Sequence, residues 1–96
     1  KEVINVGGEK VLPGEVESVL LAHPYIKDCS VHGQINLITG QTVIAHVVVS
    51  EGIDKKTIRK VLKSFCKENM EAYKVPTKFK FEEANKYTNR FKKVRK

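Results

Sequence analysis

Apolar residues recur along this chain with two periods, and an element ends wherever one period gives way to the other. In "VINVGGEKVL" (3–12) they alternate on both sides of Gly7 and Gly8. That predicts two short strands around a turn whose glycines take positive φ at little cost. Val16, Val19, Leu20 and His23 then follow the i, i+3, i+4, i+7 rule of a helix. Pro13 suits the first helical position, Glu15 and Glu17 are expected in the first turn, and Pro24 stops the run.

Residues 26–33 predict a strand with Cys29 and Val31 on one face. The stretch 41–50 is nearly continuous apolar and β-branched, as in a central strand covered on both sides. Between them, "QINLITGQ" reads as a hairpin connection with Gly40 at the turn. Asp54 is placed to cap a second helix. Ile58, Val61, Leu62, Phe65, Cys66 and Met70 form its apolar stripe, while Lys55, Lys56, Arg59, Lys60, Lys63 and Lys67 form a solvated face. Residues 77–83 alternate, with Phe79 and Phe81 sharing a face. The order predicts one α+β domain over 1–96: an N-terminal β-hairpin followed by a small three-stranded sheet with two packed helices.

Ninety-six residues suffice for one core and not for two. No apolar run is long enough to span a bilayer, and the first residues lack a signal-peptide layout. Cys29 and Cys66 lie far apart within apolar patterns, which favours buried free thiols in a reducing, cytoplasmic setting over a disulfide. With three scattered histidines and no Cys-x-x-Cys, no metal site is expected; His23 and His46 read as packing or surface residues.

Net charge is +7, but its location matters more than its sum. The last twelve residues, "NKYTNRFKKVRK", hold six of the eighteen basic side chains and no acid. The remainder, twelve basic against eleven acidic, is nearly neutral. Taken alone, such a terminus frays or grips nucleic acid. The glycine turn taken alone is an ordinary hairpin feature.

Together, at opposite ends of a domain of this order, they change the reading. Ile4, Asn5, Gly8, Val11, Pro13, Glu15, Val16 and Glu17 resemble Ile-Lys-x-x-Gly-x-x-Val-x-Pro-x-Glu-(Ile/Val)-Glu, a segment of the C-terminal domain of adenylate-forming enzymes. Those enzymes are acyl-CoA synthetases, peptide-synthetase adenylation domains and luciferases. "AHPYIKDCSVHG" (22–33) is similar to that family's His-Pro-x-(Ile/Val)-x-(Asp/Glu)-x-x-Val-x-Gly, and "YKVPTKFKF" (73–81) to its Tyr-Lys-x-Pro and following strand. Its terminal Thr-x-x-Gly-Lys-x-x-Arg falls on Thr88, Phe91, Lys92 and Arg95, with Phe91 in place of the usual glycine. Asn5 stands where lysine is common, a change read as harmless. Lys1 falls at the hinge (1–2), so the large N-terminal domain is expected outside this chain, which alone should be inactive.

The resemblance implies an ATP-dependent acid–CoA ligase. A carboxylate attacks the α-phosphate of ATP, with Mg2+ and nucleotide held mainly by the large domain; CoA or a carrier-protein pantetheine then displaces AMP as a thioester. The small domain rotates between the two steps. Lys92, on the 85–96 tail, takes the catalytic role, with Lys93 as the alternative if the register slips by one. Thr88 and Arg95 support the loop, and Gly7 and Gly8 line the thiol channel. Glu15 and Glu17 hold the helix and the domain contact, without acting as acid or base. The rival readings are an adenylation domain that loads a carrier protein, a basic nucleic-acid-binding domain, and a stand-alone interaction domain. Against the second, "VGGEKV" is no Gly-x-x-Gly clamp, so no specific nucleic-acid partner is expected.

Overall fold

In a computed structural model, residues 2–83 are described. The chain runs β1 (Ile4–Val6), β2 (Glu9–Val11), α1 (Pro13–Leu21), β3 (Ile26–Asn36), β4 (Gly40–Val49), α2 (Lys55–Asn69), a 3-10 turn (Ala72–Lys74) and β5 (Lys78–Phe81). The α+β class and the two helices are as the periodicities predict.

The sheet is larger than expected. All five strands join it, because the N-terminal hairpin is not a separate appendage: Val6 pairs with Gly40 at the start of β4. Strand β3 runs to Asn36 and pairs antiparallel with β4 from Ile26↔Val49 to Asn36↔Gly40, with one irregularity between Ile26 and Asp28. Much of the predicted connection is therefore strand, and the turn is confined to residues 37–39. Strand β5 lies parallel to β4, with Ala45 opposite Phe79 and Val47 opposite Phe81. The parallel pairing requires a crossover, which α2 supplies.

Both helices cover one face. Val16 and Leu20 of α1 and Ile58, Leu62 and Cys66 of α2 pack with Val31, Val43, Ala45, Val47 and Phe79. Burying each aliphatic side chain contributes on the order of 1.5–3 kcal/mol. Val61, placed in the stripe by spacing, is instead exposed, on the edge of the helix face. Ile44 and Val48, on the other face of β4, are also buried, so this strand is covered on both sides.

Local signals set the helix ends. Asp54 Oδ2 accepts from the Thr57 amide at 2.9 Å and the Thr57 hydroxyl at 2.8 Å, and these bonds lower the Asp54 pKa. Helix α1 has no side-chain cap; Pro13 opens it, where a missing N–H leaves nothing unsatisfied. Only Glu15 lies in its first turn. Glu17 is one turn on, and its Oε2 accepts from the Val31 amide at 2.8 Å, docking α1 onto β3.

Candidate functional site

The turn at Gly7–Gly8 closes a two-residue hairpin in which Val6 pairs with Glu9. Both glycines have positive φ, +57° and +91°, the requirement of a type I′ connection. A Cβ built at either position meets nothing within 4 Å. Backbone conformation, rather than crowding by this domain, is what selects glycine here, and the space around the turn is open.

Three polar contacts fix where the turn points. The Gly8 amide donates to Asn5 Oδ1 at 3.0 Å, the Asn5 amide to Gln41 Oε1 at 2.7 Å, and the Gly7 amide to the Thr39 carbonyl at 2.7 Å. Gln41 reaches Asn5 by crossing Gly33, where an added Cβ would stand 2.7 Å from its Nε2 and 3.0 Å from Ile4 Cγ2. Asn5, which stands where the family often has lysine, braces the turn here. Its signal was present in sequence, as an Asn three residues before a glycine. Gln41 and Gly33 gave no such local sign.

A second cluster surrounds Lys74. Its ammonium bridges Glu15 Oε2 at 2.5 Å and Glu71 Oε1 at 3.0 Å, and these two carboxylates push its pKa above the ordinary lysine range. The bridge ties the start of α1 to the segment leading into β5. Glu15 and Glu17 both hold elements of this domain together, Glu15 through Lys74 and Glu17 through the Val31 amide.

At the far end of β4, the Glu82 amide donates to the Val47 carbonyl at 2.9 Å, and Glu82 Oε2 sits 2.7 Å from His46 Nδ1. His46 stacks on His32 with ring centroids 5.0 Å apart. His23 accepts the Tyr25 amide at Nδ1 and meets Phe65 edge to face, a packing role. The glycine turn is bonded beside Gly40, and the chain heading for its C-terminus leaves beside Val47. Seven residues of strand separate these points, roughly 24 Å at about 3.4 Å per residue. Lys1, Thr88, Lys92, Lys93 and Arg95 lie outside the described residues.

Cys29 and Cys66 are free and buried. Burial pushes their thiols up to about 12 and about 11, respectively, with Glu17 and Asp28 adding to the effect at Cys29. Both are therefore held as neutral thiols near neutral pH, which disfavours a nucleophilic role. Among the described residues, no group of three or more His, Cys, Asp or Glu side chains could hold a metal ion, and no helix is long and apolar enough to cross a membrane. Nor does the sheet show a base-stacking aromatic pair there: Phe79 is buried and Phe81 is half-buried with Arg59 over its ring.

Residues 15–92 match the family described as the AMP-binding enzyme C-terminal domain. The 2-succinylbenzoate–CoA ligase of Bacillus licheniformis is 38% identical over 80 residues, covering 83% of this chain and 16% of that protein. The oxalate–CoA ligase of Saccharomyces cerevisiae is 37% identical over 81 residues, covering 84% of this chain and 14% of that one. Among solved structures, an acyl-CoA synthetase from Brucella canis superposes with a TM-score of 0.80 at 26% identity, over 85% of this chain and 15% of that one. The chain therefore spans about one-sixth of the length of these relatives.

Proposed function

This chain belongs to the family of AMP-binding enzyme C-terminal domains, and we propose that it is the mobile domain of an ATP-dependent acid–CoA ligase. The parent joins a carboxylic acid to CoA in two steps. A carboxylate oxygen bonds to the α-phosphorus of ATP as the bond to pyrophosphate breaks, giving acyl-AMP. The thiol sulfur of CoA then bonds to the acyl carbon, the bond to AMP breaks, and the thiol proton passes to solvent. The names of the relatives, CoA ligases and acyl-CoA synthetases, support CoA as the acceptor. Mg2+ and most of the nucleotide and acyl contacts fall to a large N-terminal domain of the same protein. Two buried free thiols suit a reducing cytoplasm.

The observation that carries this reading is the match of residues 15–92 to the AMP-binding enzyme C-terminal domain, together with relatives that are CoA ligases and acyl-CoA synthetases. The glycine turn is bonded to the start of β4, and the route to the basic tail leaves near its end. The described chain thus carries the glycine turn at one end of β4 and ends at the other, roughly 24 Å away at about 3.4 Å per residue. In this reading the domain rotates about a hinge at Lys1 and turns a different face to the reactants in each step.

Each end suits its step. Carboxylate and triphosphate repel, and a cation between them offsets this by roughly 4 kcal/mol at 4 Å and an effective dielectric of 20. Lys92 takes that role, with Thr88 and Arg95 shaping its loop. Gly7 and Gly8, with open space around them, leave room for a pantetheine arm between domains.

The test is made on the full-length parent with Mg2+-ATP, a panel of carboxylic acids and hydroxylamine. Acid-dependent release of pyrophosphate and AMP with hydroxamate formation is expected, diverted to thioester when CoA replaces hydroxylamine. A parent that splits ATP to ADP and phosphate, or that fails to bind ATP, overturns the reading.

A further inference from the structure

The β3–β4 turn carries an apolar tip that this domain does not use. Leu37 is 100% exposed, Ile38 92% and Ile35 80%. Isolated exposed aliphatics are ordinary, but three within four residues at the end of a hairpin make a patch. The turn does not need them for its shape. Asn36 Oδ1 accepts from the amides of Ile38 and Thr39 at 2.8 and 3.0 Å, and the Thr39 hydroxyl donates to the Gln41 carbonyl at 2.7 Å. Polar neighbours hold the backbone while the aliphatic side chains are presented to solvent in a preset arrangement.

We propose that Leu37 and Ile38 form a docking knob that seats on the large N-terminal domain in the thioester-forming arrangement. The inference rests on the ligase reading above and names a surface that reading does not require. Its warrant is the bond from the Gly7 amide to the Thr39 carbonyl, 2.7 Å long, which joins the two hairpins at their turns. The Val6↔Gly40 pairing and the Asn5–Gln41 contact reinforce it. The apolar tip and the glycine turn are therefore joined at one end of the sheet, so a surface that receives the turn lies beside the tip. The occupant is assigned to the rest of the parent protein because this chain spans only 14% to 16% of the length of its ligase relatives. Removing two aliphatic side chains from water favours the arrangement in which they are covered. The tip thus biases the rotation toward the second step and positions the glycine turn without touching substrate.

The experiment compares the full-length parent with its Leu37→Glu/Ile38→Glu double variant in the two half-reactions. Acid-dependent ATP–pyrophosphate exchange should stay within about twofold, and CoA-dependent thioester formation from supplied acyl-AMP should fall by about tenfold or more. The double alanine variant, which adds no charge, should show a smaller loss confined to the same step; it becomes the deciding comparison if a thermal melt shows the glutamates unfold the protein. Thioester formation unaffected by the substitutions overturns the inference and leaves the ligase reading standing. So does an equal loss in both half-reactions with an unchanged melt. A parent dimer that becomes monomeric in the glutamate variant, by light scattering, assigns the tip to a second copy and also overturns it. An unsubstituted parent that makes neither acyl-AMP nor thioester removes both the inference and the reading beneath it.

Discussion

The amide of Gly7 donates to the carbonyl of Thr39 across 2.7 Å, although the two residues belong to different hairpins. That bond converts a flexible-looking glycine pair into a fixed protrusion whose direction is set by the main sheet. Asn5 and Gln41 complete the brace from the side. The proposed channel function and the turn geometry can therefore be separated experimentally.

Gly7→Asn does so. Asn-Gly is a preferred pair for a type I′ connection, and φ of +57° is one that asparagine adopts readily. Melting temperature should hold or rise, while thioester formation from supplied acyl-AMP slows if the new side chain enters the proposed thiol channel. Gly8→Val should slow the same step and also destabilise the domain by about 1–2 kcal/mol, because φ is +91° there. Undiminished CoA-dependent turnover in both variants would remove the channel assignment.

Lys92→Ala in the full-length parent should reduce acyl-AMP formation by two orders of magnitude or more, as about 4 kcal/mol of charge stabilisation disappears. Thioester formation from supplied acyl-AMP should persist. Lys93→Ala should leave both steps near the parental rate. The reverse pattern transfers the role to Lys93, and loss of both steps together in Lys92→Ala counts against a step-specific lysine.

The Lys74 bridge predicts an alkaline signature. Glu15 and Glu71 raise the folded pKa of Lys74 above its ordinary 10.5. A raised lysine pKa means the contribution is fully present below the unfolded value and fades as pH climbs toward the folded one. The melting-temperature difference between the protein and its Lys74→Met variant should thus be constant up to about pH 10 and shrink above it. A difference that grows with pH in that range rules the bridge out as its source.

The thiols predict a second pH effect. In the unfolded chain they ionise near 9.0, and in the folded protein only at about 12 for Cys29 and about 11 for Cys66. The unfolded state therefore releases protons first, and stability falls as pH rises above about 9. A Cys29→Ala/Cys66→Ala variant should lose this part of the dependence, while the wild-type thiols should react with a disulfide reagent at pH 8 only as fast as the protein opens. Rapid labelling without unfolding would contradict their burial.

Local features were legible in the residues alone. The 3.6-residue spacing of Val16 and Leu20 and of Ile58, Leu62 and Cys66, the Asp54 cap, the Gly7–Gly8 turn and the alternating Phe79 and Phe81 all concern neighbours within a few positions. Spaced motifs from Ile4 to Arg95 carried the family resemblance, and residues 15–92 match the family directly. Only the tertiary structure decided which strands meet. Adding β1 to the start of β4, laying β5 parallel along it and threading Gln41 past Gly33 to reach Asn5 each join residues more than thirty positions apart or depend on such a join. No periodicity encodes those partners, because pairing register is chosen by which faces can be buried together once the helices have covered the sheet. The same selection left Leu37 and Ile38 outside the core, so that residues apolar enough for an interior position stand in solvent at the end of a polar-braced turn.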